Sequence, residues 1–150
     1  MGKTRKNRLD DVYRATTYFV DAPAGRLAFR VGQASAEIDA LATAHQVRTW
    51  TYITAYNPGS VAAPRERNEQ RQQELKQAVA ESGYPFYSGE GKGDGDWPAE
   101  PSLLVLGVSE MEAAAMARRF GQAAVLFGDR HGPARLLWTD AYSASSMQGD

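Results

Sequence analysis

Cysteine is absent from the 150-residue chain, which excludes disulfide frameworks, thiolate nucleophiles and Cys-ligated zinc or iron–sulfur sites. Histidine is nearly absent: His45 and His131 are the whole supply, too few for a His-rich metal site within one chain. Long apolar runs are missing too. The longest is LLVLGV, far short of the roughly 20 residues that span a bilayer. Charge of one sign is equally scarce, with 17 basic against 18 acidic side chains and a net charge of -1. No global field draws in nucleic acid or an anionic membrane, so any charge preference has to be local. The opening MGKTRKNRLDD is basic but no apolar segment follows it, which argues against a secretory signal. Residues 1–12 therefore read as a basic flexible N-terminus and 143–150 as a flexible tail. Residues 13–142 read as a single α+β domain, expected to be cytoplasmic.

What is present alternates between strand-like and helix-like segments. YRATTYFV, residues 13–20, is rich in β-branched and aromatic side chains; DAPAG makes a turn and RLAFRVG returns. With paired numbers summing to 46, Phe19 would meet Leu27, Thr17 would meet Phe29 and Ala15 would meet Val31, leaving Arg14 and Arg30 on the other face. SAEIDALATAH suits a helix with Ser35 as N-cap and Ile38, Leu41 and Ala42 as its stripe. TWTYITAYNP is a strand closed by a Pro-Gly turn. PRERNEQRQQELKQAVAESG is a helix between Pro64 and a capping Gly83. YPFYSG and SLLVLGV are strands, the second continuously apolar as in a strand covered on both faces. Ser109 and Glu112 form a capping box ahead of EMEAAAMARRFG. QAAVLFGD and ARLLWTDAY close the chain as a hairpin. The expected architecture is one compact α+β domain with a mixed sheet, about three helices and the order ββαβαββαββ.

The helix after Pro64 carries the first functional hint. Its apolar stripe is Leu75, Ala78, Val79 and Ser82, and stepping back along that face reaches Arg71 and Asn68. An inward Arg needs a partner, since burying an unpaired charge costs several kcal/mol. It either bonds a carboxylate or loop carbonyls inside the protein, or lies with Asn68 on the floor of a cleft beside YNPGS. A helix start offers N–H donors and positive potential to an anion, although GSVAAP is no glycine-rich phosphate loop.

The stretch YSGEGKGDGDWPAEPS alternates Gly89, Gly91, Gly93 and Gly95 with Glu90, Lys92, Asp94 and Asp96. Extended, it puts all four glycines on one bare face, open to close backbone approach. It does not make a phosphate cradle, because most of the alternating side chains repel anions. A mobile hairpin is its plain reading, and suspicion moves to Glu100 and Ser102 at its far end.

YRATTYFV, RVG, TAYNPGS, the N-x-x-R helix, GYPFYSGEGKGDGDWPAEPSLLVLG and ARRFGQAAVLFG together resemble a small bacterial family, domain of unknown function 3293. The resemblance runs from about Tyr13 to Trp138, rests on YNPGS, EPSLLVLG and FGQ, and carries no activity, cofactor or residue role with it.

The candidate site gathers Asn57, Ser60, Asn68, Arg71, Glu100, Ser102 and Gln122, provided that the TAYNPGS and EPSLLVLG strands are neighbours. A Glu100 to Arg71 pair would be its core. The leading expectation is a cleft for a small polar or anionic molecule, with no cofactor and no metal. A second is a hydrolase or transferase, metal-independent or magnesium-assisted, with Glu100 as base or with Glu90, Asp94 and Asp96 holding an ion. A third is a protein-interaction or inhibitor module using Tyr84, Phe86, Tyr87 and Trp97. An unpaired edge at either hairpin leaves room for a homo-oligomer.

Overall fold

Both hairpins and the apolar run enter one sheet. The computed structural model describes residues 4–139. Its helices are α1 (Arg5–Ala15), α2 (Ala36–Ala44), α3 (Arg65–Ser82) and α4 (Glu110–Arg119). Its strands are β1 (Thr17–Ala22), β2 (Gly25–Phe29), β3 (Thr49–Ile53), β4 (Phe86–Lys92), β5 (Glu100–Leu106), β6 (Ala124–Asp129) and β7 (Arg135–Trp138). The seven strands run in the order β2-β1-β4-β5-β3-β6-β7, and the whole is one α+β domain.

Three sequence expectations need correction. The sheet is antiparallel throughout rather than mixed: α4 carries the chain from β5 to β6, and β3 lies between them, antiparallel to both. The order gains a fourth helix, because residues 5–15 are helical where a flexible opening and the start of a strand were expected. Thr4 caps α1 by accepting from the Asn7 N–H at 3.1 Å. The first hairpin pairs Tyr18 with Phe29 and Val20 with Leu27, one residue out of the expected register. The slip exchanges the faces of β1 alone, so Tyr18 and Val20, in place of Thr17 and Phe19, are buried with Leu27 and Phe29. Arg14 bonds Asp10 at 2.8 Å, and Arg30 donates to the Arg14 carbonyl at 2.7 Å. The expected tail at 143–150 lies outside the described residues.

β5 explains why its sequence is apolar at consecutive positions. Leu103 and Val105 join Ile53, Leu75, Val79, Ala113, Ala117, Phe120, Val125 and Phe127 on one face, under α3 and α4. Leu104 and Leu106 join Tyr18, Val20, Phe29, Trp50, Tyr52 and Leu126 on the other, with Ile38 of α2. Both faces of an antiparallel sheet are therefore covered. The Ser109–Glu112 capping box forms as expected, and Gly83 ends α3 with φ 82°.

Candidate ligand-binding cleft

β3 and β5 are neighbours, pairing Ile53 with Leu103 and Tyr52 with Leu104. That register carries the chain beyond β3 to the start of β5 and brings YNPGS beside Glu100. Asn57 adopts a left-handed conformation, φ 47° and ψ 65°, which Asn tolerates better than most residues. The turn it opens docks on the end of α4, where the Gly59 N–H donates to the Gly121 carbonyl at 2.7 Å.

From that turn a polar network spreads inward. The Asn57 carboxamide donates to Glu100 Oε2 at 2.7 Å, and its oxygen accepts from the Ala63 N–H at 3.0 Å and from Asn68 Nδ2 at 2.9 Å. Asn68 Oδ1 in turn accepts the Asn57 backbone N–H at 2.9 Å. Gln122 donates to the carbonyls of Tyr56 and Phe120 at 3.1 and 3.3 Å. Ser102 Oγ donates to the Glu100 carbonyl at 3.0 Å. Asn57, Asn68, Ser102 and Gln122 are all buried, and buried polar groups satisfied in this way hold one another in a single arrangement.

Beside this network lies a cavity of about 540 Å³, the size of a small-molecule site. Its floor is the α2-side face of the sheet where α2 does not reach: Tyr18, Tyr52, Gly91, Ser102 and Leu126. Leu9, Val12 and Tyr13 of α1 lie over it, and Asn57, Ser60, Trp97, Glu100 and Gln122 close one end. The Tyr52 hydroxyl donates to the Phe19 carbonyl at 2.7 Å and the Tyr18 hydroxyl to the Tyr13 carbonyl at 3.0 Å. Burial pushes both phenols well above the usual tyrosine range, so they stay protonated and offer the cavity ring surface. Arg5 ties α1 to the turn by donating to the Gly59 carbonyl.

The glycine alternation divides by function within β4. A Cβ on Gly89 would lie 1.9 Å from the Phe19 carbonyl oxygen and 3.0 Å from the Tyr52 hydroxyl, so only glycine lets β1 and Tyr52 approach there. A Cβ on Gly91 would meet Tyr18 at an ordinary 3.4 Å, and Gly91 and Gly93 line the cavity. β4 and β5 pair as the hairpin expected between YPFYSG and SLLVLGV, but the strand runs on through Gly89 and Gly91 to Lys92 and is also paired with β1.

Of the seven candidates, Asn57, Ser60, Glu100, Ser102 and Gln122 line the cavity, and Asn68 holds Asn57 from behind. Arg71 is not among the lining residues. It donates to the Phe120 carbonyl at 2.9 Å, which is the internal reading of that residue. The expected Glu100 to Arg71 pair does not form: Glu100 Oε2 accepts from Asn57 and, at 3.3 Å, from Trp97 Nε1. A small amide is enough partner for a carboxylate at the cavity edge, and α3 aims Arg71 at the α4 end instead. Among the described residues no three His, Asp or Glu side chains cluster as a metal site, and no helix is long and apolar enough to cross a membrane. Of the interaction-surface aromatics, Tyr84 and Phe86 pack on one core and Tyr87 on the other, while Trp97 is half exposed at the cavity.

Sequence reasoning missed α1 and with it Leu9, Val12 and Tyr13. Their signal was a Thr4 cap followed by apolar residues at spacings of three and four. Fold and cavity together define an α+β domain with a roofed, tyrosine-walled cleft beside a buried amide network. Residues 53–125 match the family described as Protein of unknown function (DUF3293), the family the sequence resembles. All seven candidate residues fall inside that segment, whereas the α1 roof lies outside it. No curated protein and no solved structure matches the chain.

Proposed function

We propose that this is a bacterial cytoplasmic ligand-binding domain, taking a small polar molecule into the cleft between α1 and the sheet beside the YNPGS turn. The observation that carries this reading is the cavity of about 540 Å³ bounded by buried Asn57, Ser102 and Gln122, each held by its own hydrogen bonds to Glu100, Asn68 or backbone carbonyls. A sheet covered only for packing has no need of a polar wall facing open volume, because burying polar groups offers little stability over an apolar wall. Val12 and Trp97, two of the exposed large apolar residues, line the cavity and give its mouth an apolar edge.

The test uses Gly91→Leu, whose side chain enters the cavity without a backbone clash. A ligand-observed NMR screen of metabolite mixtures is expected to yield binders to the wild type that Gly91→Leu loses while keeping its melting temperature. Binders retained in full by Gly91→Leu would place binding elsewhere and remove the cleft from the account.

An enzymatic reading has one observation in its favour. Glu100 lines the cavity with Oε2 committed, and Oε1 has no hydrogen bond among the described residues, which is the geometry of a carboxylate able to take a proton. Turnover of a bound molecule by wild type and its loss in Glu100→Gln, with binding retained, would move the protein into that class.

A further inference from the structure

The charges around the cleft are unevenly distributed. Asp11, Asp94 and Glu100 line it, and among the described residues no Lys, Arg or His does. Three cations of the surrounding elements donate to backbone carbonyls. Lys92 donates to the carbonyls of Gly95 and Trp97 at 3.0 and 2.8 Å, Arg5 to that of Gly59 and Arg71 to that of Phe120. A chain of net charge -1 thus gathers carboxylates at one concave site, where partial exclusion of water strengthens their field.

Aromatic rings supply the rest of the wall. Tyr18, Tyr52, Tyr56 and Trp97 line the cavity. The first two are buried with their hydroxyls committed to carbonyls, so they present ring surface rather than donors. Ring faces attract cations, and Trp does so best. Trp97 is placed against the acidic end by its own bond to Glu100, and Lys92 pins the loop that carries it. An anionic ligand would meet the carboxylates of Asp94 and Glu100 and no cation on the lining, while a neutral one would leave the open oxygen of Glu100 unanswered.

Resting on the cleft reading above, we propose that the ligand is a small organic cation, an amine with an apolar or aromatic body, whose ammonium group pairs with Glu100 while its body lies against the tyrosine wall. The ammonium donates to Glu100 Oε1, a charge-assisted bond, with Oε2 held by Asn57 and Trp97. The unexpected helix α1 supplies the apolar side through Leu9 and Val12.

Three probes with one skeleton isolate the charge: 2-phenylethylamine, 2-phenylethanol and phenylacetate, titrated by calorimetry into wild type and Glu100→Gln. Glutamine keeps an acceptor for Asn57 and Trp97, and an unchanged melting temperature verifies the fold. The amine is expected to bind wild type about tenfold more tightly than the alcohol, with phenylacetate weakest, and Glu100→Gln to erase the amine's advantage while leaving the alcohol unchanged. Alcohol or acid binding wild type as tightly as the amine would overturn the cation assignment and leave the cleft standing. If none of the three binds while Gly91→Leu loses other ligands, the assignment fails alone; if Gly91→Leu loses nothing, the cleft fails with it.

Discussion

On one face of the sheet, α3 and α4 press Leu75, Val79, Ala113, Ala117 and Phe120 onto the strands. On the other, α2 covers one end with Ile38 and Ala42, and α1 spans the remainder without a single buried residue of its own. The first face is finished by close packing. The second is left unfinished, and its gap is the cleft. The difference teaches that α1 is held by its ends and edges, through Arg5 on the Gly59 carbonyl, Tyr18 on the Tyr13 carbonyl and Lys6 over the Trp138 ring, more than by burial. Such an element can yield locally without unfolding the domain.

The sharpest way to break this contrast is to truncate leucines on the two sides. Leu75→Ala empties a fully buried position and is expected to cost about 2–5 kcal/mol in denaturant unfolding, whereas Leu9→Ala on α1 should cost less than about 1 kcal/mol. Equal losses would make α1 part of the core. The glycine pair comes next: Gly89→Ala should destabilise by about 2 kcal/mol, since its new methyl group meets backbone. Gly91→Ala should gain about 0.5 kcal/mol, because it restricts the unfolded chain and clashes with nothing. Removing the α4 cap with Ser109→Ala should cost about 1 kcal/mol and leave ligand binding unchanged, because α4 serves the sealed face. Native-state hydrogen exchange should show α1 amides opening at a small fraction of the global free energy and α3 amides near the full value.

The smallest expected effect concerns pH. The Tyr84 hydroxyl donates to Glu112, which pushes the phenol up to about 12 and, with the Ser109 cap bonds, holds the Glu112 carboxyl below its usual value. A depressed carboxyl contributes stability above its unfolded value and loses it as pH falls through the folded one; a raised phenol contributes below 10 and loses it as pH rises through about 12. Tyr84→Phe should therefore flatten both edges of the stability profile slightly, measured by melting temperature against pH.

Much of the architecture was legible where a local rule and the tertiary demand agreed. Ser35, Ser109 with Glu112, and Gly83 cap the helices they were expected to cap, since capping depends on neighbours within a turn. The apolar run of β5 correctly implied cover on both faces. The register of the first hairpin was misjudged because YRATTYFV is apolar or aromatic on both alternations, so period two could not choose between Phe19 and Tyr18. α1 was hidden by charge: Leu9, Val12 and Tyr13 stand among Arg5, Lys6, Arg8, Asp10, Asp11 and Arg14, and the segment reads as a basic tail. In the cleft, Asn57, Ser60, Glu100, Ser102 and Gln122 share one cavity because β3 and β5 pair as assumed. Of the two internal partners expected for Arg71, a carboxylate or a loop carbonyl, it takes the carbonyl of Phe120 and not Glu100, because sequence gives the face of a helix and not the group opposite it.

The central claim is that the unfinished face binds the ligand, and the most direct measurement is an amide and indole chemical-shift map recorded while 2-phenylethylamine is titrated into the protein. Shifts concentrated at Val12, Gly91, Trp97 and Ser102, with α3 and α4 silent, are the predicted result. Shifts concentrated on α3 or α4, with the Trp97 indole unmoved, would contradict it.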